Sequence, residues 1–443
     1  MIVFDEKKLQ NYIWNNREVF SELIDGEIPK VDIDFDISID PSKLFQKVIF
    51  ERLYETLKYV KNMNLIGEEV PLKKSGDSTI RTDFLGMNIE EPGICVIELK
   101  KSKQTERQAF TELLAYNHHL ASLFPTMGKD DFVNVLISPM EVRTVREAFL
   151  HTLLVENKRV IAFVPTFSSE RNIDSLKLEL WMPSETDIMN FKSHYFSQSN
   201  FEVVKIAWND NSVVRGLRAG GTEEEKSKMN YISSYVAQVM EEKNIHGFCF
   251  TSRSWPELDT PYPNSLIIVG MNPYEISCKN WCMNNEDASE TNSFNHLSHG
   301  GLIGLEELII GLKLEDEHIR HFEMLHTSWG EHLIKIGTDS LKFLMKKSNG
   351  QDADLEYGTL NLDQFFRLGE NDYAFNYDVF PSSGFKKLHS ELLKLDYEFT
   401  AKKGVNKYPI GDIFSTLFES YKSHHFIKIN LGRMNGLDLK ELM

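Results

Sequence analysis

The stretch Ile94-Cys95-Val96-Ile97-Glu98-Leu99, followed at once by Lys100, constrains this chain more than any other. It is apolar on both faces, and a strand of that kind belongs in the middle of a sheet. Side chains alternate along a strand, so Glu98 and Lys100 share a face with Ile94 and Val96, while Cys95, Ile97 and Leu99 take the other. Residues 78–86 read as the first arm of a hairpin and 88–93, with Pro92 and Gly93, as its turn. The first arm carries Thr82-Asp83. Any fold of this chain must accept Asp83, Glu98 and Lys100 near the end of a buried strand.

Carboxylates in such a place need a cation or strong hydrogen bonds to stay ionised. A hard divalent ion such as Mg²⁺, or Mn²⁺ in its place, meets that need because it prefers carboxylate oxygens and keeps several waters. A bound ion of this kind activates water and offsets charge on a phosphate, and a lysine beside it adds electrostatic stabilisation. The expected chemistry is phosphodiester hydrolysis. Acid-x-Lys triplets also occur at Glu156/Lys158, Glu224/Lys226 and Glu241/Lys243, but in polar, helix-like stretches that read as solvated surface.

On these residues the chain resembles the PD-(D/E)xK, or restriction-endonuclease-like, nuclease superfamily, over residues 41–165 only. The resemblance implies an α/β fold with an αβββαβ core, a mixed sheet flanked by helices. The expected elements are a helix over 42–63, strands over 69–74, 78–86 and 94–100, a helix over 104–123 and a strand over 132–138. A helix over 141–155 and a strand over 160–165 follow. Asp83 matches the family's first acidic position, with Thr82 in place of the proline, and Glu98 and Lys100 match its E-x-K pair. The resemblance implies that Asp83, Glu98 and Lys100 are catalytic and that Asp83 and Glu98 hold the metal. It adds a metal-proximal glutamate on the first helix, Glu51 with Glu55 as the competing choice. The RecB-like branch carries Gln-x3-Tyr in the helix after the motif. Glu112 and Tyr116 have that spacing here, with Gln108 one turn earlier, as substrate-contacting or lysine-supporting residues on one stripe.

The chain's 443 residues leave room for two or three domains. Three parts are expected: an acidic extension over 1–40, the nuclease-like domain over 41–185, and a second α/β-to-helical region over 186–443. The net charge of −17 is unevenly spread: −6 over residues 1–40, −1 over 41–185 and −10 beyond. The acidity thus lies outside the nuclease-like part, where Lys73, Lys74, Arg81, Lys101, Lys103 and Arg107 gather around the motif. This charge still argues against tight non-specific DNA binding. No apolar run reaches the length of a membrane span, no signal-peptide layout opens the chain, and four cysteines make no disulfide framework. An intracellular, cytoplasmic protein is expected.

Residues 6–24 read as an amphipathic helix, and Val31–Ile37 as a strand whose acidic face, Asp32, Asp34 and Asp36, discourages edge pairing. Strands are expected over 176–181, 201–208, 246–251 and 265–270, a helix over 222–243, and helical patterns from Gly301 on. Cys278, Cys282, His296 and His299 have a spacing near that of a Zn²⁺ site, but the histidine pair is one residue too close and no finger-like helix intervenes. Buried free thiols are the simpler reading. Without a G-x4-G-K-[S/T] loop, an ATP-driven motor is excluded from the expectations.

The expected activity is a metal-dependent nuclease acting on nucleic acid. The superfamily's habits favour DNA over RNA and a gated effector in antiviral defence or DNA processing. A partner, a ligand or the acidic N-terminus would do the gating, and the expected associations are with a protein partner or in a homo-oligomer. The alternative is a non-catalytic binding or regulatory module on the same fold.

Overall fold

The computed structural model describes residues 5–31, 41–169, 172–184, 187–188, 201–209, 223–254, 260–274, 316–345, 354–361, 374–386 and 390. The chain divides into two compact units, Met1–Asp32 with Gln46–Ile188, and Ile33–Phe45 with Met189–Met443. The first is α/β, a mixed seven-stranded sheet flanked by helices, with strand order β1-β7-β6-β5-β4-β3-β2.

At its centre β4 (Ile94–Leu99) and β5 (Phe132–Ile137) are buried along their whole length, as their uninterrupted apolar runs require. They pair in parallel, with Ile94 opposite Phe132 and Leu99 opposite Ile137. β6 (Arg159–Phe167) continues the parallel set beside β5. β3 (Ile80–Met87) joins β4 as the expected antiparallel hairpin, and β2 (Asn64–Leu72) closes that edge. In β3 the alternation is plain: Thr82, Phe84 and Gly86 are buried on one face, while Asp83 and Leu85 lie on the other. β7 (Leu176–Trp181) runs antiparallel to β6.

The N-terminal segment does not form a separate extension. α1 (Glu6–Asn15), the short α2 (Phe20–Leu23) and β1 (Ile24–Asp25) are built into this unit, and β1 pairs in parallel with β7. Leu9 and Ile13 are fully buried, and Phe20 and Leu23 nearly so. A helix with such an apolar stripe needs a surface to cover, and the sheet supplies it. Trp14 stacks on Phe84 at 6.4 Å. The single helix expected over 6–24 ends at Asn16, whose side-chain amide donates to the Tyr12 carbonyl.

α3 (Pro41–Lys61) is tied to the starting ends of the parallel strands. Tyr59 Oη donates to the Gly93 carbonyl at 2.7 Å, and Arg52 donates to the Asn157 and Lys158 carbonyls just before β6. The helix expected over 104–123 is broken into α4 (Lys103–Glu106) and α5 (Ala109–Leu123). The break turns Glu106 fully inward, where its carboxylate accepts from Ser138 Oγ at 3.2 Å. α5 covers the face of Ile94 and Val96 through Leu113, Tyr116 and Leu120. α6 (Arg143–Leu150) follows β5.

The second unit holds an antiparallel six-stranded sheet of β8 (Phe201–Trp208), β9 (Gly247–Ser254), β10 (Asn264–Met271), β11 (Leu355–Asn361), β12 (Ala374–Asn376) and β13 (Phe380–Ser382). α7 (Glu223–Glu242) and α8 (Asp316–Leu344) pack on it around Val204, Ile206, Trp208, Val236, Leu266 and Leu333. Gly330 and Gly337 let α8 approach closely, since a Cβ at either would lie about 2 Å from Glu202 Oε1 or Ile206 Cδ1. The region after Gly301 is therefore not purely helical. β11 is an edge strand paired only with β8, and β12 and β13 are too short to announce themselves. The strand expected over 31–37 falls outside the described residues. No helix among the described residues is long and apolar enough to cross a membrane.

Candidate active site

Continuing the β3–β4 register from Phe84 opposite Ile97 places Asp83 directly opposite Glu98. Like charges in that arrangement repel, and here they do so out of water. Glu98 is 2% exposed and Lys100 7%. Asp83 Oδ2 accepts from the Leu99 backbone N–H at 2.8 Å, which ties the aspartate to the strand bearing its partner. Lys100 holds its own backbone in register through a 2.8 Å bond to the Ile137 carbonyl. Its Nζ bridges two carboxylates, donating to Glu98 Oε1 and lying 2.6 Å from Glu112 Oε2.

The electrostatics follow from this crowding. Burial pushes the Asp83 carboxyl up to about 6, against the pull of the Leu99 N–H and Lys100. Burial, then repulsion from Asp83, holds Glu98 well above the ordinary carboxylate range. Burial works against the charge of Lys100, yet Glu98 and Glu112 outweigh it and raise its pKa. The Tyr116 phenol is raised by burial and by the nearby Glu98 and Glu112. Two carboxyl groups thus share one ammonium, with a third, Asp83, facing Glu98 across the strands.

Not every expected residue joins the cluster. Glu112 and Tyr116 do, one turn apart on α5. Gln108 does not: it is the exposed N-cap residue of α5, and its side chain makes no hydrogen bond among the described residues. The break at Glu106 displaces it from the stripe an unbroken helix would have made. Glu51 also stands apart, in an ion pair with Lys47 at 3.0 Å, and neither it nor Glu55 contacts the pair. The adjacent Arg52 anchors that part of α3 at the starts of the strands, whereas Glu98 lies at the end of β4.

α1 supplies what the sequence reading missed. Glu6 Oε2 accepts from the Lys101 N–H at 3.4 Å and adds to the repulsion on Asp83. Gln10, 4% exposed, donates to the Asp83 carbonyl at 3.5 Å. The available signal was the apolar stripe itself, since a helix obliged to pack brings its flanking polar residues along. Of the competing triplets, Glu156 and Lys158 form a partly exposed ion pair at 3.0 Å. The cysteine–histidine quartet at 278–299 lies outside the described residues.

Among the described residues no three Asp, Glu, His or Cys side chains converge into a ready-made metal cage. Mg²⁺ does not ask for one: it is commonly bound by one or two carboxylates, with waters and substrate phosphate completing its shell. Asp83 and Glu98 fit that demand. Glu98 Oε1 is engaged by Lys100, Oε2 is buried, and the Tyr116 phenol and the Glu112 carboxyl stand close to the same carboxyl group. Burial of this carboxyl group carries a desolvation cost for its charged form that a cation would offset.

No protein-family model and no curated protein matches the sequence. Among solved structures, a protein described as XisH family, from Nostoc punctiforme PCC 73102, matches with 12% identity. The match covers 31% of this chain and 97% of that chain, with a TM-score of 0.18. A likeness of that size carries no argument about activity.

Proposed function

We propose that the chain is a divalent-metal-dependent nuclease on a restriction-endonuclease-like core, hydrolysing phosphodiester bonds of nucleic acid, DNA before RNA. The observation that carries the reading is the gathering of three carboxyl groups, Asp83, Glu98 and Glu112, with one ammonium at the end of β4, Glu98 among them almost fully buried. Surface ion pairs do not need such an excess, and buried structural pairs are destabilised by it.

In this reading Asp83 and Glu98 hold Mg²⁺ or Mn²⁺, which when bound supplies charge neutralisation and a more acidic water. Lys100 places its ammonium where negative charge grows on the phosphate. Glu112 fixes the direction of that ammonium, and Tyr116 walls the pocket on the α5 side. Glu6 and Gln10, rather than Glu51, stand on the helix that borders the pair. Lys101 and Arg107, both exposed beside the motif, face solvent where a phosphate backbone would pass.

The decisive experiment is cleavage of supercoiled plasmid, linear DNA and RNA in EDTA, Mg²⁺ or Mn²⁺, beside Lys100→Ala. Metal-dependent cutting that vanishes in the variant is the expected result. Cutting that survives in Lys100→Ala would remove the activity from this site. Nucleic-acid binding without cutting, unchanged by metal, would favour the second reading, a binding module. That reading draws on the double engagement of Lys100 by Glu98 and Glu112.

A further inference from the structure

A cleft of about 680 Å³ lies in the first unit, away from the carboxylate cluster, between residues 26–30 and the last turns of α3. We propose that it binds a nucleoside phosphate, with Lys30, Lys58 and Lys61 on the phosphate and the Tyr54 ring against the base. The volume is within the range of small-ligand sites, roughly 300–1,000 Å³. None of the cleft-lining residues belongs to the cluster around Glu98.

Lys58 and Lys61 come from the end of α3, and Lys30 from the opposite wall. None of the three forms an ion pair among the described residues, a condition they share with Lys73 and Lys74, so it is their convergence on one cleft that sets them apart. The helix dipole accounts for lysines in the last turn of a helix. It does not account for Lys30, which stands on another element. Among the described residues Glu27 is the only carboxylate lining the cleft, so their charge there is net positive in a chain of net charge −17.

Tyr54 is 55% exposed and rises one turn before Lys58, on the same side of the helix. An aromatic face beside unpaired cations suits a base joined to its phosphate. Asn62, which also lines the cleft, offers both a donor and an acceptor. The wall carrying Lys30 is held in place: Gly26 adopts φ +104°, and a Cβ there would lie 2.8 Å from Leu180 Cβ. Pro29 stiffens the same wall and Ile28 is buried beneath it.

The test is calorimetric titration of the full chain, in EDTA and low salt, with ADP, with inorganic pyrophosphate, and with oligothymidylates bearing or lacking a 5′-phosphate. ADP is expected to bind, and Lys58→Ala/Lys61→Ala to weaken it about tenfold or more. Tyr54→Ala should weaken ADP by about fivefold or more through lost stacking while leaving pyrophosphate nearly unchanged. Lys100→Ala should bind ADP as the parent does, which separates this cleft from the proposed nuclease site. Competition by only the 5′-phosphorylated oligonucleotide would identify a strand terminus as the source, and none by either a free nucleotide. Thermal melts establish that the variants fold, and Lys58→Gln/Lys61→Gln repeats the charge removal with less change of shape. No ADP binding at millimolar concentration, or binding indifferent to both lysine variants, overturns the proposal. Equal weakening of ADP and pyrophosphate by Tyr54→Ala overturns its nucleoside part.

Discussion

Two buried charge clusters, one in each unit, solve the same problem in opposite ways. In the second unit Glu225 is 3% exposed and Arg253 8%. Arg253 Nη1 lies 2.7 Å from Glu225 Oε1, which also accepts from Tyr377 Oη at 2.6 Å. One carboxylate meets one guanidinium and one phenol, so the formal charges cancel. In the first unit Glu98 and Glu112 meet a single Lys100, and Asp83 faces Glu98 from the neighbouring strand. The first arrangement is complete as folded. The second carries more carboxyl groups than cations, and under the proposed function that imbalance leaves room for a metal ion.

The largest effect should come from unbalancing the complete cluster. Arg253→Ala leaves Glu225 buried without its guanidinium, and a loss of about 3–5 kcal/mol is expected. Urea unfolding followed by a probe in the second unit reads it. A loss below 1 kcal/mol on the same scale would show that Glu225 is compensated from elsewhere, and the contrast between the clusters would weaken.

The same kind of truncation at the incomplete cluster should cost activity instead. Asp83→Asn is expected to lower metal-dependent cleavage by about 10²-fold or more, the scale seen when an electrostatic contributor is removed. Stability without metal should stay level or rise, because the variant relieves repulsion with Glu98 while its side-chain oxygen still accepts from the Leu99 N–H. A marked fall in melting temperature without metal would mean that Asp83 is structural.

Metal should sharpen the comparison further. Mg²⁺ at about a hundredfold excess over its dissociation constant is expected to stabilise the parent by about 2.7 kcal/mol. Asp83→Asn should remove that gain and Arg253→Ala should not. Differential scanning calorimetry with and without Mg²⁺ distinguishes these results, and an equal gain in all three proteins would point to binding elsewhere.

How much of this was legible in the sequence depended on where each signal resides. The hairpin, β4 and β5 declared themselves because central strands carry long apolar runs, and Glu98 and Lys100 were conspicuous inside one. Glu112 and Tyr116 came from the resemblance, whose signature spacing they match on α5. Gln108 was misplaced because the inward turn of Glu106 toward Ser138 is a tertiary event, and no local pattern announces it. Glu51 was misplaced for a similar reason. Its helix is plain in the sequence, but its attachment at the strand starts rests on Tyr59 and Arg52 meeting carbonyls far along the chain. In the second unit β12 and β13 are defined only by pairing with β9.

The smallest effect tests that last distinction. Glu6 enters the site from α1, through the Lys101 N–H and the field it places on Asp83, without touching Glu98 or Lys100. A residue acting at that distance changes the electrostatic environment and not the chemistry itself, so Glu6→Gln should lower cleavage only severalfold, within about 1 kcal/mol of barrier. It should also raise the Mg²⁺ concentration needed for half-maximal cutting, because a negative charge beside the pair has been lost. Glu51→Gln, which breaks a partly exposed i,i+4 pair with Lys47, should leave both quantities within twofold, since such pairs contribute about 0.3–0.5 kcal/mol and this one lies off the site. If the two variants exchange behaviour, the helix that completes the site is α3 after all, and the arrangement of α1 against β3 would need to change on binding substrate.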